Sequence, residues 1–109
     1  YPVGTSLVYS NWTPRKSRIE GIDEVVFFGL QYFIKKYILE DFENHFFKQP
    51  KEKVVAEYKR RINCYLGENQ VGTKHIEDLH DLGYIPMVIK ALPEGVSVPI
   101  RVPMFTMYN

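Results

Sequence analysis

Hydrophobic and polar residues alternate in some stretches of this chain and recur with helical spacing in others. Val8 and Tyr9 are strong β-formers, so residues 5–12 are predicted to form a strand, and the polar, Pro-containing residues 13–18 a loop. After Gly21, apolar residues recur about every 3.6 positions, which predicts a helix with a broad buried face. These residues are Ile22, Val26, Leu30, Phe33, Ile34, Tyr37 and Ile38.

Two further helices are predicted in the middle of the chain. Pro50 is suited to the first position of a long helix, and Gly67 is suited to its end. A shorter helix fits between Thr73, as its N-cap, and Gly83, as its C-cap. We therefore expect two long helices and one short one.

From Tyr84 onward the pattern becomes typical of β structure. Apolar residues alternate along residues 85–92, and a turn is predicted at 92–95 because Pro and Gly stand at its second and fourth positions. Two more β segments are predicted at 96–98 and 104–108.

Pro99 and Pro103 lack a backbone donor, which places them at strand ends or sheet edges. The predicted order is one strand, three helices and then three strands. Strands and helices that are segregated in this way indicate an α+β fold with an antiparallel β segment, rather than repeated βαβ units.

Composition narrows the class of protein without identifying it. The chain has 109 residues, 45% of them hydrophobic, which fits one globular domain. Its formal net charge of +1 argues against a nucleic-acid binder. The most apolar stretch, 25–39, is too short to span a membrane and is interrupted by charged residues, and no signal peptide precedes it, so we expect a cytoplasmic protein with no membrane partner.

Sulfur and imidazole groups give little support for catalysis or metal binding. His75 and His80 stand five positions apart, which does not bring them to one helix face, so we interpret them as surface or capping residues. Cys64 is expected to be a small buried hydrophobe rather than a nucleophile. We assign no catalytic and no metal-binding residue.

One polar cluster stands out from this background. Arg15, Lys16 and Arg18 lie in the loop after the first predicted strand, next to Trp12. A rigidly held arginine can make paired hydrogen bonds to phosphate or diphosphate oxygens. Phosphate binding is therefore a candidate function, which the residues alone do not decide.

Four segments together carry a resemblance to a known family. They are Tyr1-Pro2 with Thr5-Ser6 and Val8-Tyr9-Ser10; Glu24-Val25-Val26-Phe27-Phe28-Gly29-Leu30-Gln31-Tyr32; Ile89-Lys90-Ala91-Leu92-Pro93-Glu94-Gly95; and Phe105-Thr106. In this order and spacing, they resemble the N-terminal domain of the nicotinamide phosphoribosyltransferases.

The resemblance implies that residues 1–109 are the N-terminal α+β domain of a larger, cytoplasmic type II enzyme, without its catalytic α/β barrel. Such an enzyme joins nicotinamide to phosphoribosyl pyrophosphate and releases nicotinamide mononucleotide and pyrophosphate, a step of NAD salvage. It works as a homodimer with active sites at the subunit interface and uses Mg²⁺ and ATP. We expect this piece alone to bind no cofactor and to be inactive.

The resemblance assigns a role to one residue of this chain. Arg15 occupies the position of an arginine that reaches the phosphates of phosphoribosyl pyrophosphate or ATP across the dimer interface. Arg101 receives no role, because residues 100–103 replace an Arg-Gly-Asn turn that is usual in the family. The ring-stacking tyrosine of the family precedes Tyr1, and its catalytic histidine lies in the barrel.

Two alternatives remain open. The chain could come from a nicotinate-using relative, which the ring-facing residues of the barrel would distinguish. It could also be a non-enzymatic α+β interaction module whose basic loop binds an anionic partner. If the barrel is missing, we expect exposed apolar faces on the isolated piece.

Overall fold

The computed structural model describes residues 2–68 and 70–109, so Tyr1, which opens the resemblance, lies outside it. Strands and helices are segregated, and the predicted α+β class is confirmed. The chain divides into two compact units. The first takes in the residues up to Leu30 and those from Pro86 onward, and the second is Gln31–Ile85. The expectation of one domain over 1–109 stays a prediction.

The first unit contains the strands, all paired antiparallel. Their bounds are β1 Tyr9–Trp12, β2 Glu24–Val26, β3 Val88–Ala91, β4 Ser97–Pro99 and β5 Phe105–Tyr108. One sheet has the order β1-β5-β3, and β2 pairs with β4 in a second. Pro99 ends β4, as its missing donor predicts. The first strand is shorter than expected because residues 5–8 lie outside the ladder, although the Asn109 side chain accepts a hydrogen bond from the Val8 N–H at 2.7 Å.

The buried apolar side chains of the described residues, Phe27 and Val98, both lie in this first unit. Val98 faces Val25 across the β2–β4 pair. The Phe27 N–H donates to the Val96 carbonyl at 2.9 Å, and its ring lies 6.3 Å from that of Phe105 on β5. Phe27 therefore joins the two-stranded sheet to the three-stranded one.

The helix expected after Gly21 begins later than its spacing predicted. Ile22 precedes β2, and Val26 is the last residue of that strand. The β-branched pair at 25 and 26 fits the pleated ladder with β4, and this long-range pairing overrides the local helical period. A second strand therefore precedes the helices.

The second unit contains three helices, two long and one short as expected. The first, α1, runs through Leu30–Phe33, Ile34–Asp41 and Glu43–Phe47; α2 is Lys51–Leu66 and α3 is Lys74–Leu82. After its first turn, most of α1 has the wider i→i+5 pairing of a π-helix, which is rare at this length. Its expected buried face is not buried here, since Phe33 is 50% exposed and Tyr37 47%.

The ends of α2 and α3 follow the predicted capping residues. The carbonyl of Pro50 accepts the N–H groups of Lys53 and Val54, so Pro50 caps α2 rather than occupying its first turn. Gly83 ends α3 in the left-handed conformation, at φ 78°, and its N–H donates to the Leu79 carbonyl. Thr73 precedes α3, as predicted.

The described residues leave much apolar surface uncovered. Twenty-three large hydrophobic side chains are exposed, against two that are buried. Two separate compact proteins, each of half the mass of this chain, would together have about 7,600 Å² of solvent-accessible surface. The solvent-accessible surface of the chain is larger, at 8827 Å². The expected exposure of apolar faces is thus present. Among the residues described, no helix is long and apolar enough to cross a membrane.

Candidate functional site

The segment that joins β1 to β2, residues 13–23, contains Arg15, Lys16 and Arg18 and is called the basic loop. It begins where the sheet anchors the end of β1. The Trp12 ring stacks on Phe105 with centroids 5.9 Å apart and planes 8° apart. The Trp12 carbonyl accepts the Met104 N–H at 2.8 Å, and the Thr13 hydroxyl donates to Asn11 Oδ1 at 2.7 Å. Residues 11–13 are therefore fixed immediately before Arg15.

A second loop, residues 99–103, lies against both ends of the basic loop. The Arg101 N–H donates to the Pro14 carbonyl at 2.7 Å, and the Ile100 N–H donates to the Asp23 carbonyl at 2.8 Å. Within the second loop, the Val102 N–H donates to the Pro99 carbonyl at 3.1 Å, which closes a β-turn. The turn thus ties together the start and the end of the basic loop.

The middle of the basic loop is held by local hydrogen bonds. The Ser17 hydroxyl lies 2.9 Å from the Ile19 carbonyl and 3.1 Å from the Ile19 backbone N. Gly21 has φ 75°, a conformation that glycine adopts without a steric penalty. The chain therefore reverses toward β2 without using the side chains of Arg15, Lys16 or Arg18.

The cations of this loop differ from those of the second unit that form ion pairs. Arg15, Lys16 and Arg18 are exposed, and neither they nor Arg101 make a side-chain hydrogen bond or ion pair with another described residue. Every ion pair found among the described residues lies in the second unit. The four side chains are therefore available for an external anion.

In the second unit, by contrast, two basic side chains of α2 share one carboxylate. Glu57 on α2 accepts hydrogen bonds from Arg60 and Arg61 at 2.8 Å. These hydrogen bonds lower the pKa of Glu57 to about 2, Arg60 making the larger contribution. This part of the basic face of α2 is already paired with a carboxylate and is less suited to steer an anion.

The histidines and the cysteine provide no constellation for chemistry. His75 Nε2 lies 2.9 Å from the Tyr58 hydroxyl and links α3 to α2, and His80 Nε2 lies 3.0 Å from the Gln49 carbonyl and links α3 to the segment before α2. Among the described residues, no three His, Cys, Asp or Glu side chains lie together as metal ligands. The expectation of a buried Cys64 is wrong, because this thiol is exposed near the end of α2.

Sequence reasoning assigned no role to Arg101, which the structure places beside the basic loop. Its φ of 73° stands at the third position of the turn, where a positive φ favours glycine. A proline two residues before it and another two residues after it could have indicated a tight turn. Its contact with Pro14 spans most of the chain and has no local signal.

Comparison with known proteins agrees with the resemblance. No model of a protein family matches the chain. The chain is 52% identical, over its whole length in an alignment of 114 positions, to a nicotinamide phosphoribosyltransferase of Acinetobacter baylyi (strain ATCC 33305 / BD413 / ADP1). It spans 23% of the length of that relative. The similarity deduced from the four segments is therefore confirmed.

Proposed function

We propose that this chain is the N-terminal part of a nicotinamide phosphoribosyltransferase. The proposal rests on 52% identity over the whole chain to a relative of that name. In the proposed reaction, the ring nitrogen of nicotinamide bonds to C1 of the phosphoribosyl group as the bond to pyrophosphate breaks. The products are nicotinamide mononucleotide and pyrophosphate.

In this proposal, the chain contributes a scaffold, dimer contacts and a phosphate-binding arginine. Arg15 is exposed, has no anionic partner among the described residues, and follows a segment fixed by the Trp12–Phe105 stack. A guanidinium held in this way can bind two oxygens of a phosphate at once. Because its backbone follows an anchored segment, this side chain is placed to neutralise developing negative charge on the leaving pyrophosphate.

Among the described residues, the candidate loop does not suit the Mg²⁺ that the resemblance implies. The candidate loop offers cations, and hard divalent ions prefer carboxylate and carbonyl oxygens. Among the described residues, no group of three potential metal ligands lies together. Arg15 is therefore proposed to contact phosphate oxygens directly.

The activity is tested on the full-length protein with phosphoribosyl pyrophosphate, Mg²⁺ and ATP. We expect nicotinamide mononucleotide and pyrophosphate to form with nicotinamide as the acceptor. Product formed with nicotinate instead would identify a nicotinate-using relative. If neither base gives a product, the enzyme proposal is wrong and the interaction module is supported.

The role of Arg15 is tested by Arg15→Ala in the full-length enzyme. Loss of a hydrogen-bonded charge should raise the KM for phosphoribosyl pyrophosphate about ten- to a hundredfold, or uncouple ATP hydrolysis, while folding stays normal. Lys59→Ala is the matched control, because Lys59 is an exposed cation of α2 that makes no ion pair with another described residue. Equal kinetics in the two variants would exclude the role.

Whether Arg15 of one subunit acts on the active site of the other is tested separately, with mixed dimers. A subunit carrying Arg15→Ala is mixed with a subunit whose barrel is inactivated. If Arg15 acts on the neighbouring active site, the mixed dimer regains one normal site, which combines the intact Arg15 of one subunit with the intact barrel of the other. Mixed dimers that stay at the activity of the Arg15→Ala enzyme would show action within one subunit.

A further inference from the structure

We infer that Arg101 is a second binding residue of the same phosphate site and that, together with Arg15, it holds a ligand bearing a diphosphate group. This inference rests on the proposed function of Arg15. It adds a residue on a different loop and specifies that the ligand carries two adjacent phosphoryl groups.

The first support is the hydrogen bond that joins the two loops. Arg101 N–H donates to the carbonyl of Pro14, the residue directly before Arg15, at 2.7 Å. Standard backbone bond lengths then keep the Cα atoms of Arg15 and Arg101 within about 8 Å of each other. Two long arginine side chains that start this close can both reach one small anion.

The second support is the lack of any other partner for the two charges. Both side chains are exposed and make no ion pair with the residues that the structure describes. Asp23 belongs to the same hydrogen-bond network, since its carbonyl accepts the Ile100 N–H, but its carboxylate pairs with neither arginine. Two adjacent unpaired guanidiniums repel each other until an anion neutralises them.

The third support is the backbone conformation of Arg101. Among the described residues it is the non-glycine residue with a positive φ, at 73°, whereas six glycines occupy the other positive-φ positions. Glycine would form this turn without strain, so the turn itself does not require an arginine. Backbone strain of this kind clusters at binding sites, where the surrounding structure maintains it.

A diphosphate suits the pair better than a single phosphate. Each guanidinium presents a planar fork of donors that matches two oxygens of one phosphoryl group. With two forks on neighbouring loops, one can bind each phosphoryl group, as in the pyrophosphate that the proposed reaction releases.

The test compares Arg101→Gly with the wild type in the full-length enzyme. We measure binding of inorganic pyrophosphate by calorimetry, the KM for phosphoribosyl pyrophosphate and the melting temperature. Glycine removes the charge and relieves the positive φ, so we expect about tenfold weaker pyrophosphate binding together with an unchanged or higher melting temperature. The pyrophosphate affinity of Arg101→Lys should lie between those of the wild type and Arg101→Gly, because lysine keeps the positive charge but lacks the planar set of donors.

The controls separate this inference from the proposed function. Lys59→Ala, which removes one positive charge from the second unit, should leave pyrophosphate binding unchanged. If Arg15→Ala weakens pyrophosphate binding and Arg101→Gly only raises the melting temperature, Arg101 is a turn residue and the inference is wrong, while the role of Arg15 stands. If the protein forms no mononucleotide and both variants still weaken pyrophosphate binding, the inference stands and the enzyme proposal fails. Pyrophosphate binding that is absent from the wild type would overturn the inference.

Discussion

Phe27 and Phe28 are adjacent and chemically identical, yet one is buried and the other is exposed. The Phe27 side chain is 5% exposed and contacts Phe105, whereas Phe28 is 80% exposed. Replacing each by alanine in the 109-residue chain removes the same atoms from two different environments. The pair therefore tests the described core of the first unit directly.

The loss of stability expected for Phe27→Ala follows from the burial of this side chain. A buried phenylalanine removes about 150–250 Å² from water, and truncation to alanine typically costs about 3–5 kcal/mol, including the cavity left behind. That is a large share of the roughly 5–15 kcal/mol that stabilises a typical domain. Phe28→Ala should change the free energy of unfolding by no more than about 0.5 kcal/mol.

Urea denaturation followed by the fluorescence of Trp12 measures this difference. Trp12 is the single tryptophan of the chain and stacks on Phe105, the ring that Phe27 also contacts, so its signal reports on the first unit. With an m-value of about 1–3 kcal/mol/M, Phe27→Ala should lower the midpoint by at least about 1 M. Equal midpoints for the two variants would refute the assignment of Phe27 to the core.

Two further perturbations test the second unit. The pKa of Glu57 is lowered to about 2, so its ion pairs stabilise fully above its reference value of 4.5 and are lost as the pH falls through about 2. Glu57→Gln should therefore flatten the acid limb of a stability-against-pH curve measured by circular dichroism, and Glu52→Gln on the same helix should leave it intact. Gly83→Ala places a side chain at φ 78° with open space around it, so backbone strain alone should cost about 1 kcal/mol in urea denaturation. Gly72→Ala, which has open space and no positive φ, should be neutral or slightly stabilising.

Local signals predicted the second unit well. Thr73 and Gly83 bound α3 as expected, and Pro50 and Gly67 bound α2, because capping depends on a few residues close in sequence. The i→i+5 pairing of α1 was not predicted, since its residues fit a period of 3.6 equally well.

The first unit depends on pairings between distant residues, and there local reasoning failed. Residues 24–26 fit a helical period, but the partner strand at 97–99 makes them a strand. In the candidate site, too, local signals indicate one residue, and a contact between distant parts of the sequence places the other. Arg15 was proposed from its loop and from the family resemblance, whereas the place of Arg101 depends on a hydrogen bond to Pro14, 87 positions earlier.

The two units differ in how they can form during synthesis. The second is a continuous segment, Gln31–Ile85, whose helices can pair as soon as they leave the ribosome. The first needs β5 before β1 has a partner, since Tyr9 pairs with Tyr108. Its opening strand must therefore wait, unpaired, while about a hundred residues are translated, which takes about 5–20 seconds at usual elongation rates. During that interval, the nascent chain exposes Tyr9 and Trp12 on an unpaired strand, a species that chaperones bind and that aggregates when they are scarce.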